Sequence, residues 1–308
     1  MTAAIEITGL TKAYGDRRAL DGVDLEVPMG SIFGFLGPNG AGKTTTLRVL
    51  TGLARPTSGK ARVFGRDVVS ATNEVRADIG FLPDVPGYYE WMTAPEFLRF
   101  AGRLFGLSGS VLEERVDALL DLAGLTGVTQ KVGGFSRGMK QRLGVAQALI
   151  NAPKLLMLDE PTSALDPIGR KEVLDMIASL GGRTTVFFST HILSDVERVC
   201  DTVSILHEGR VVTQAPIGEL KSRYGTSKLV VGVTAKADAL EAHFATESWA
   251  AEVARGENGT IEIKVVDLAE ARRAIPAAVV EAGVGLTRFE SGEVSLEDVF
   301  VDLVGGGR

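Results

Sequence analysis

Two hydrophobic patterns divide the chain. In one, short apolar runs are bounded by turn residues: Ala4 to Leu10, Val23 to Val27, Ile32 to Leu36 and Lys60 to Phe64 read as strands, and Ile79 to Pro86 as a strand ending in a proline-bounded loop. Leu155 to Leu158 is a continuous apolar run, which suits a strand covered on both faces of a parallel sheet, and Thr184 to Phe188 reads as another buried strand. Val203 to Leu206 and Arg210 to Thr213 flank Glu208-Gly209 and predict a hairpin. In the other pattern, apolar residues recur at helical spacing, predicting helices over Thr46 to Leu53, Tyr88 to about Ala123, Phe135 to about Ile150 and Arg170 to Leu180. Phe97, Phe100, Ala101, Leu104 and Phe105 form one stripe, read as core of a helical subdomain or as an exposed patch beside Tyr88, Tyr89 and Trp91.

From about Thr226 the pattern changes. Lys228 to Thr234, Thr260 to Val266 and Leu286 to Phe289 read as strands. Lys236 to Phe244, Leu268 to Ala282 interrupted by Pro276, and Ser295 to Leu303 read as helices, with Gly305 to Gly307 fraying. The expectation is an α/β domain over 1–220, with its helical subdomain near 85–150, and a small α+β domain over 226–308.

A length of 308 residues accommodates both, and 45% hydrophobic residues supply two cores. The net charge of −6 offers no basic excess, so no nucleic acid is expected as a partner. No run of about eighteen apolar residues is present to span a bilayer, and the opening M-T-A-A-I-E-I-T does not read as a secretory signal. Cys200 is the single cysteine, which fits a reducing cytoplasm and a small buried apolar role.

The chemistry starts between the run ending at Leu36 and the helix that follows. Gly37-Pro38-Asn39-Gly40-Ala41-Gly42-Lys43-Thr44-Thr45 is a glycine-rich loop in strand-loop-helix context, the arrangement that cradles phosphate. Its glycines bring backbone N–H groups against an anion, Lys43 adds a point charge, and the Thr44 hydroxyl suits Mg²⁺. Asp159 and Glu160 end a buried strand, so they are expected in the same crevice, Asp159 on the magnesium side and Glu160 toward an attacking water. Asp84 follows the strand beginning at Ile79, His191 ends another parallel strand, and Tyr14, in the first turn upstream of the phosphate loop, offers a ring for a nucleobase. Ser136 is placed to cap a helix, a second though locally weak phosphate site. His207 and His243 read as ordinary surface residues.

Residues 4 to 220 resemble the nucleotide-binding subunit of an ABC transporter, most closely those of ABC-2-type exporters. Gly37 to Thr45 is similar to Walker A, Leu155 to Glu160 to Walker B, Ser163 to Asp166 to the D-loop, and His191 to the switch histidine. Phe135-Ser-Arg-Gly-Met139 is similar to the family signature but has Arg137 and Met139 in place of a glycine and a glutamine; Asp84 stands where the Q-loop glutamine is usual. The resemblance implies a P-loop NTPase fold, ATP and Mg²⁺ as cofactors, and catalytic Glu160 and His191. It implies adenine stacking by Tyr14, a metal shell from Thr44, Asp84 and Asp159, and contact of Ser136 and Gly138 with a second copy's nucleotide. The partners it implies are a homodimeric or paralogous nucleotide-binding subunit and an integral membrane permease, gripped near residues 85–125, on the cytoplasmic face of the membrane. The ending V-S-L-E-D-V-F-V-D-L resembles the accessory C-terminal segment of the same exporters. The alternatives are a soluble ABC ATPase acting on ribosomes or nucleic acid, whose relatives generally carry two such domains or a coiled-coil insertion, and a P-loop kinase, which leaves Ser136, Asp166 and His191 unexplained.

Overall fold

Two kinds of strand build the first part of the chain. β1 (Ala3–Tyr14) and β2 (Arg17–Pro28) form an antiparallel hairpin, after which β3 (Ile32–Leu36) runs into the glycine loop and α1 (Lys43–Leu50). β4 (Ser58–Val63) and β5 (Arg66–Asp67) extend the hairpin into a sheet ordered β2-β1-β4-β5. The short α2 (Thr72–Ala77) leads to β6 (Ile79–Leu82), and α3 (Ala94–Leu104), α4 (Gly109–Leu122) and α5 (Arg137–Ala148) form a helical region before β7 (Leu155–Asp159). Then come α6 (Pro167–Ala178), β8 (Thr185–Thr190), α7 (Leu193–Val199), and the hairpin of β9 (Thr202–His207) and β10 (Arg210–Pro216).

The second sheet has the order β10-β9-β3-β8-β7-β6, parallel from β9 to β6 with β10 antiparallel at the edge. Every residue of β3, β7 and β8 is buried, which is why these strands carry no polar alternation. α1 packs against β4, β7 and β8, and one apolar core joins Ile5, Leu10 and Val63 of the antiparallel sheet to Phe33, Met157 and Phe187 of the parallel one. Helix starts are marked chemically. Thr93 and Glu96 form a capping box at α3, Ser136 accepts from the Met139 N–H at α5, and Asp166 accepts from the Gly169 N–H at α6 with Pro167 in the first turn.

This computed structural model describes residues 3–224, 227–256, 259–292 and 295–305, and the chain separates into two units, Met1–Ile217 and Gly218–Arg308. After α8 (Ile217–Tyr224), the second contains β11 (Ser227–Val233), α9 (Ala237–Phe244), β12 (Ala250–Arg255), β13 (Ile261–Val265), α10 (Leu268–Glu281), β14 (Leu286–Gly292) and α11 (Leu296–Gly305). The order β12-β13-β11-β14 makes β11 to β14 a split β-α-β-β-α-β arrangement. Its core gathers Leu229, Val231, Phe244, Trp249, Ile261, Ile263, Ile275 and Val279.

Several elements differ from their sequence reading. The helical stretch expected from Tyr88 to Ala123 is two helices, and Tyr88 to Trp91 lie before the first of them. Its aromatic stripe divides: Phe97 and Ala101 are buried, while Leu104 and Phe105 face solvent. Tyr14 closes β1 rather than lying in a turn, because strand pairing continues through Tyr14↔Arg17. α1 starts at Lys43 rather than Thr46 and ends at Leu50, α6 starts at Pro167 rather than Arg170, and β8 continues through Thr190. Pro276 does not interrupt α10; Ile275 and Val279 on either side of it are both buried, and that packing outweighs the roughly 3 kcal/mol that an interior proline costs. β5, α2, α7, α8 and β12 were not foreseen, being short and with little apolar periodicity. Gly305 is the last residue of α11, and the remainder of the expected fraying, Gly306 and Gly307, lies outside the described residues. His207 is not a plain surface residue: it ends β9 with its Nδ1 buried and without a partner.

Candidate functional site

The glycine loop is shaped by close approach. A Cβ at Gly37 would lie 2.3 Å from the Leu206 carbonyl oxygen, and Gly42 has φ +116° with a Cβ position 2.7 Å from the Ala19 carbonyl oxygen. Gly37 N–H donates to the Thr190 carbonyl (3.2 Å), tying the start of the loop to the end of β8. Gly42 is the N-cap of α1, with no side-chain cap and no acidic residue in the first turn. The helix therefore presents its positive end with no acidic residue of its own to compete.

Lys43 is 5% exposed and donates to the carbonyl oxygens of Gly37 (2.6 Å) and Pro38 (3.2 Å). Its ammonium also lies 3.1 Å from Glu160 Oε1. This is an ion pair rather than an aligned hydrogen bond, since Oε1 accepts none. Glu160 Oε2 lies 2.8 Å from His191 Nδ1. Glu160 itself has φ +50°, a left-handed conformation costing a non-glycine residue roughly 1–3 kcal/mol, and its N–H donates to the Ser189 carbonyl at 3.0 Å. β7 thus ends in a sharp turn that aims the glutamate back toward the loop.

Asp159 is 1% exposed, and the parallel register sets it opposite Ser189, whose hydroxyl donates to Asp159 Oδ1 at 2.6 Å. Burial raises the Asp159 pKa above the ordinary carboxylate value, against the hydrogen bonds from Ser189 and Thr44; the nearby charges of Asp84 and Glu160 raise it further. A buried carboxylate in this condition gains from a cation.

A cleft of about 390 Å³ has Tyr14, Asn39, Gly40, Gly42, Lys43, Thr44, Thr45, Asp84 and Glu160 in its lining, and Asp159 and His191 reach it through Thr44 and Glu160. Tyr14 is 48% exposed, with the Lys12 ammonium 4.7 Å from its ring centroid. A second hollow of about 260 Å³ shares Asp84 and Glu160 and is lined also by Tyr88, Arg137, Lys140 and Ser163. There Tyr88 Oη donates to the Lys140 carbonyl (2.6 Å), and burial pushes its phenol pKa up. Lys140 in turn pairs with Glu90 (3.0 Å), so the segment after β6 is fastened to α5 just behind Ser136 and Gly138.

The structure therefore brings Tyr14, the glycine loop, Thr44, Asp84, Asp159 and Glu160 together, with His191 reaching them through Glu160. Ser136 and Gly138 are not among the residues lining the cleft. They sit at the start of α5, where Gly138 approaches Gly169 of α6. Two participants were missed in the sequence. Arg17 also lines the cleft, directly across the hairpin from Tyr14. Ser189 was legible in hindsight as a polar residue at the end of an apolar strand, but only the register shows that it meets Asp159.

Residues 20–163 match the model of a family described as ABC transporter. Over 301 residues the chain is 41% identical to an uncharacterized ABC transporter ATP-binding protein, YxlF, of Bacillus subtilis, covering 97% of this chain and 99% of that protein. The chain belongs to the ATP-binding subunits of ABC transporters. It is 40% identical over 313 residues to the bacitracin transport ATP-binding protein BcrA of Bacillus licheniformis, covering 100% of this chain and 99% of that one. Over 308 residues it is 37% identical to the daunorubicin/doxorubicin resistance ATP-binding protein DrrA of Streptomyces peucetius, covering 99% and 93%. Residues 216–304 match the C-terminal domain of DrrA1-3-like ATP-binding proteins. Among solved structures, an ABC transporter ATP-binding subunit matches with a TM-score of 0.65 at 31% identity, covering 72% of this chain and 93% of that one. A dimeric ATP-binding cassette in a post-hydrolysis state with ADP and Pi matches at a TM-score of 0.62 and 26% identity, covering 69% and 98%.

The fold is accordingly that of an ABC ATPase, and the chain is an ATP-binding, ATP-hydrolysing subunit. The donor set fits Mg²⁺. A buried carboxylate and a neighbouring hydroxyl suit an ion that takes the rest of its shell from phosphate and water. No helix among the described residues is long and apolar enough to cross a membrane.

Proposed function

We propose that the chain is the motor of an export complex: it binds and hydrolyses MgATP and drives a separate membrane-spanning permease from the cytoplasmic face. The observation that carries the reading is the convergence on one cleft of a phosphate loop and a strained glutamate held by a histidine, with the buried Asp159 hydrogen-bonded to the loop's Thr44. In this reading Tyr14 stacks on the adenine, and residues 37 to 45 hold the phosphates with Lys43 against the outermost ones. Thr44, Asp159 and Asp84 surround the magnesium ion, which neutralises developing charge on the phosphates. Glu160 orients and deprotonates the attacking water, and His191 fixes the glutamate rotamer by holding Oε2.

Ser136 and Gly138 complete the nucleotide site of a second subunit, either another copy or a paralogue. Their position outside this chain's own cleft supports that assignment, as does a helix start free of acidic residues. The unit ending near residue 217 is the motor, and the second unit is an accessory domain. The names of the relatives BcrA and DrrA, one a transport protein and one a resistance protein, support export as the direction of work. The test is hydrolysis by the purified full-length chain. MgATP turnover that falls at least a hundredfold in Glu160→Gln, with nucleotide binding retained, supports the assignment; unchanged turnover overturns it.

A further inference from the structure

Asp195 is buried, 1% exposed, in the first turn of α7, four residues past His191. Both of its oxygens are engaged. Oδ2 accepts from the Thr162 hydroxyl at 2.5 Å, and Oδ1 accepts from Arg170 Nε at 2.5 Å. Thr162 is itself 1% exposed and stands two residues past Glu160. The hydrogen bonds close a ring. From Glu160 the backbone passes to Thr162, the Thr162 hydroxyl bonds Asp195, the chain runs back to His191, and His191 Nδ1 returns to Glu160 Oε2 at 2.8 Å. Arg170 adds a third element, since its guanidinium NH2 also donates to the Ser194 hydroxyl at 2.7 Å. The segment between Thr162 and Arg170 includes Ala164 at φ +53° and Asp166, the cap of α6.

We propose that Asp195 is a positioning residue for hydrolysis, acting through Thr162 and α7 to hold Glu160 and His191 in register, and this rests on the assignment of Glu160 above. Neither Glu160 nor His191 is placed by regular secondary structure alone. Glu160 follows the last residue of β7 in a strained conformation, and His191 follows the last residue of β8. Beyond the backbone bond from Glu160 to Ser189, the two loops leaving these strands share no regular structure, and a general base displaced by about an ångström loses up to a hundredfold in rate. Asp195 couples them through its charge-assisted bond to Thr162, in which both residues are out of solvent, where such bonds are strongest and most directional. Arg170 extends the same clamp to the segment that carries Ser163 to Asp166.

The test uses the full-length chain and four variants: Asp195→Asn, Thr162→Val, Thr162→Ser and Glu160→Gln. Valine keeps the shape of threonine and removes the hydroxyl; serine restores it. The inference predicts that Thr162→Val and Asp195→Asn each lower kcat for ATP at least tenfold with KM and the Kd for ADP within twofold of the parent. Thr162→Ser recovers most of the kcat, and the Thr162→Val/Asp195→Asn double variant is no worse than the lower single one. Should Asp195→Asn fail to fold, the Val and Ser pair at Thr162 still decides. A kcat within twofold of the parent in Thr162→Val overturns the inference, as does a loss in which ADP affinity falls in proportion or serine gives no recovery. Glu160→Gln separates the two levels: if it too leaves turnover intact, it is the assignment of the base that fails.

Discussion

Lys43 and Glu160 hold each other across the cleft, the ammonium 3.1 Å from Oε1, with both side chains largely out of solvent at 5% and 10% exposure. The charge that should meet the outer phosphate is partnered by the charge that should activate water. An arriving phosphate therefore competes with Glu160 for Lys43. Removing the competitor's charge is expected to favour the nucleotide by about 1 kcal/mol, a fivefold tightening. Calorimetric titration of Glu160→Gln with ADP, which leaves nothing to hydrolyse, should show it; equal affinity would mean the pair does not oppose binding.

Lys43→Ala carries the converse expectation. It strips the loop of its point charge and leaves the Glu160 carboxylate buried beside the acid Asp159, a loss on the order of 3 kcal/mol for breaking a buried pair. Denaturant unfolding should register a lower midpoint, and nucleotide titration should show little binding.

Tyr14 offers a face that is 48% exposed at the mouth of the cleft. Stacking of a base on an aromatic ring contributes roughly 1–3 kcal/mol, so Tyr14→Ala should weaken ATP between about fivefold and a hundredfold while Tyr14→Phe stays within twofold. The same loss is expected for GTP, because every base has a stackable face. A fluorescent nucleotide titration distinguishes this from a ring that merely packs on Lys12.

Cys200 is half-buried, its sulfur against β3 and 3.2 Å from where a Cβ at Gly34 would stand, and desolvation of the thiol followed by the charges of Asp201 and Asp195 raises its pKa above the ordinary 9.0. A raised thiol pKa means stability that is whole below the unfolded value and declines as pH rises beyond it. At pH 8 the native thiol should alkylate far more slowly than in denaturant. Fast native labelling by iodoacetamide, followed by mass spectrometry, would contradict that burial.

How much of this was legible beforehand follows from the range of each signal. The phosphate loop and the strand ending at Asp159 and Glu160 were readable because the chemistry and its structural context are contiguous in sequence. The buried parallel strands were readable for the same reason, as unbroken apolar runs. What escaped depends on register or on distant chain. Ser189 matters because β7 and β8 pair Asp159↔Ser189, and Thr162, Arg170 and Asp195 meet only after α6 and α7 have packed. The aromatic stripe of α3 was visible as a stripe, but which residues it buries depended on where the helix begins. Pro276 misled because its local cost was visible and the packing that outweighs it was not.

The divided stripe leads to a further expectation. Tyr89 and Trp91 pack with their rings tilted by 55° and centroids 5.0 Å apart, Trp91 is 64% exposed, and Leu104 and Phe105 are exposed in the same region of sequence. Serine at Tyr89 together with glutamine at Trp91 should reduce retention of the chain in the membrane fraction several-fold, with soluble ATPase activity within twofold of the parent. Sedimentation of membranes followed by quantification of the chain reads this directly.

The central claim, that this ATPase works on a membrane permease, is tested most directly by purifying tagged Glu160→Gln in mild detergent from its native membranes with MgATP present. The substitution retains binding and loses water activation, so the ATP-bound assembly should persist. The account predicts a stoichiometric multi-span membrane protein in the eluate. Recovery of ribosomes or nucleic acid with no membrane protein would contradict it and move the motor to a soluble load.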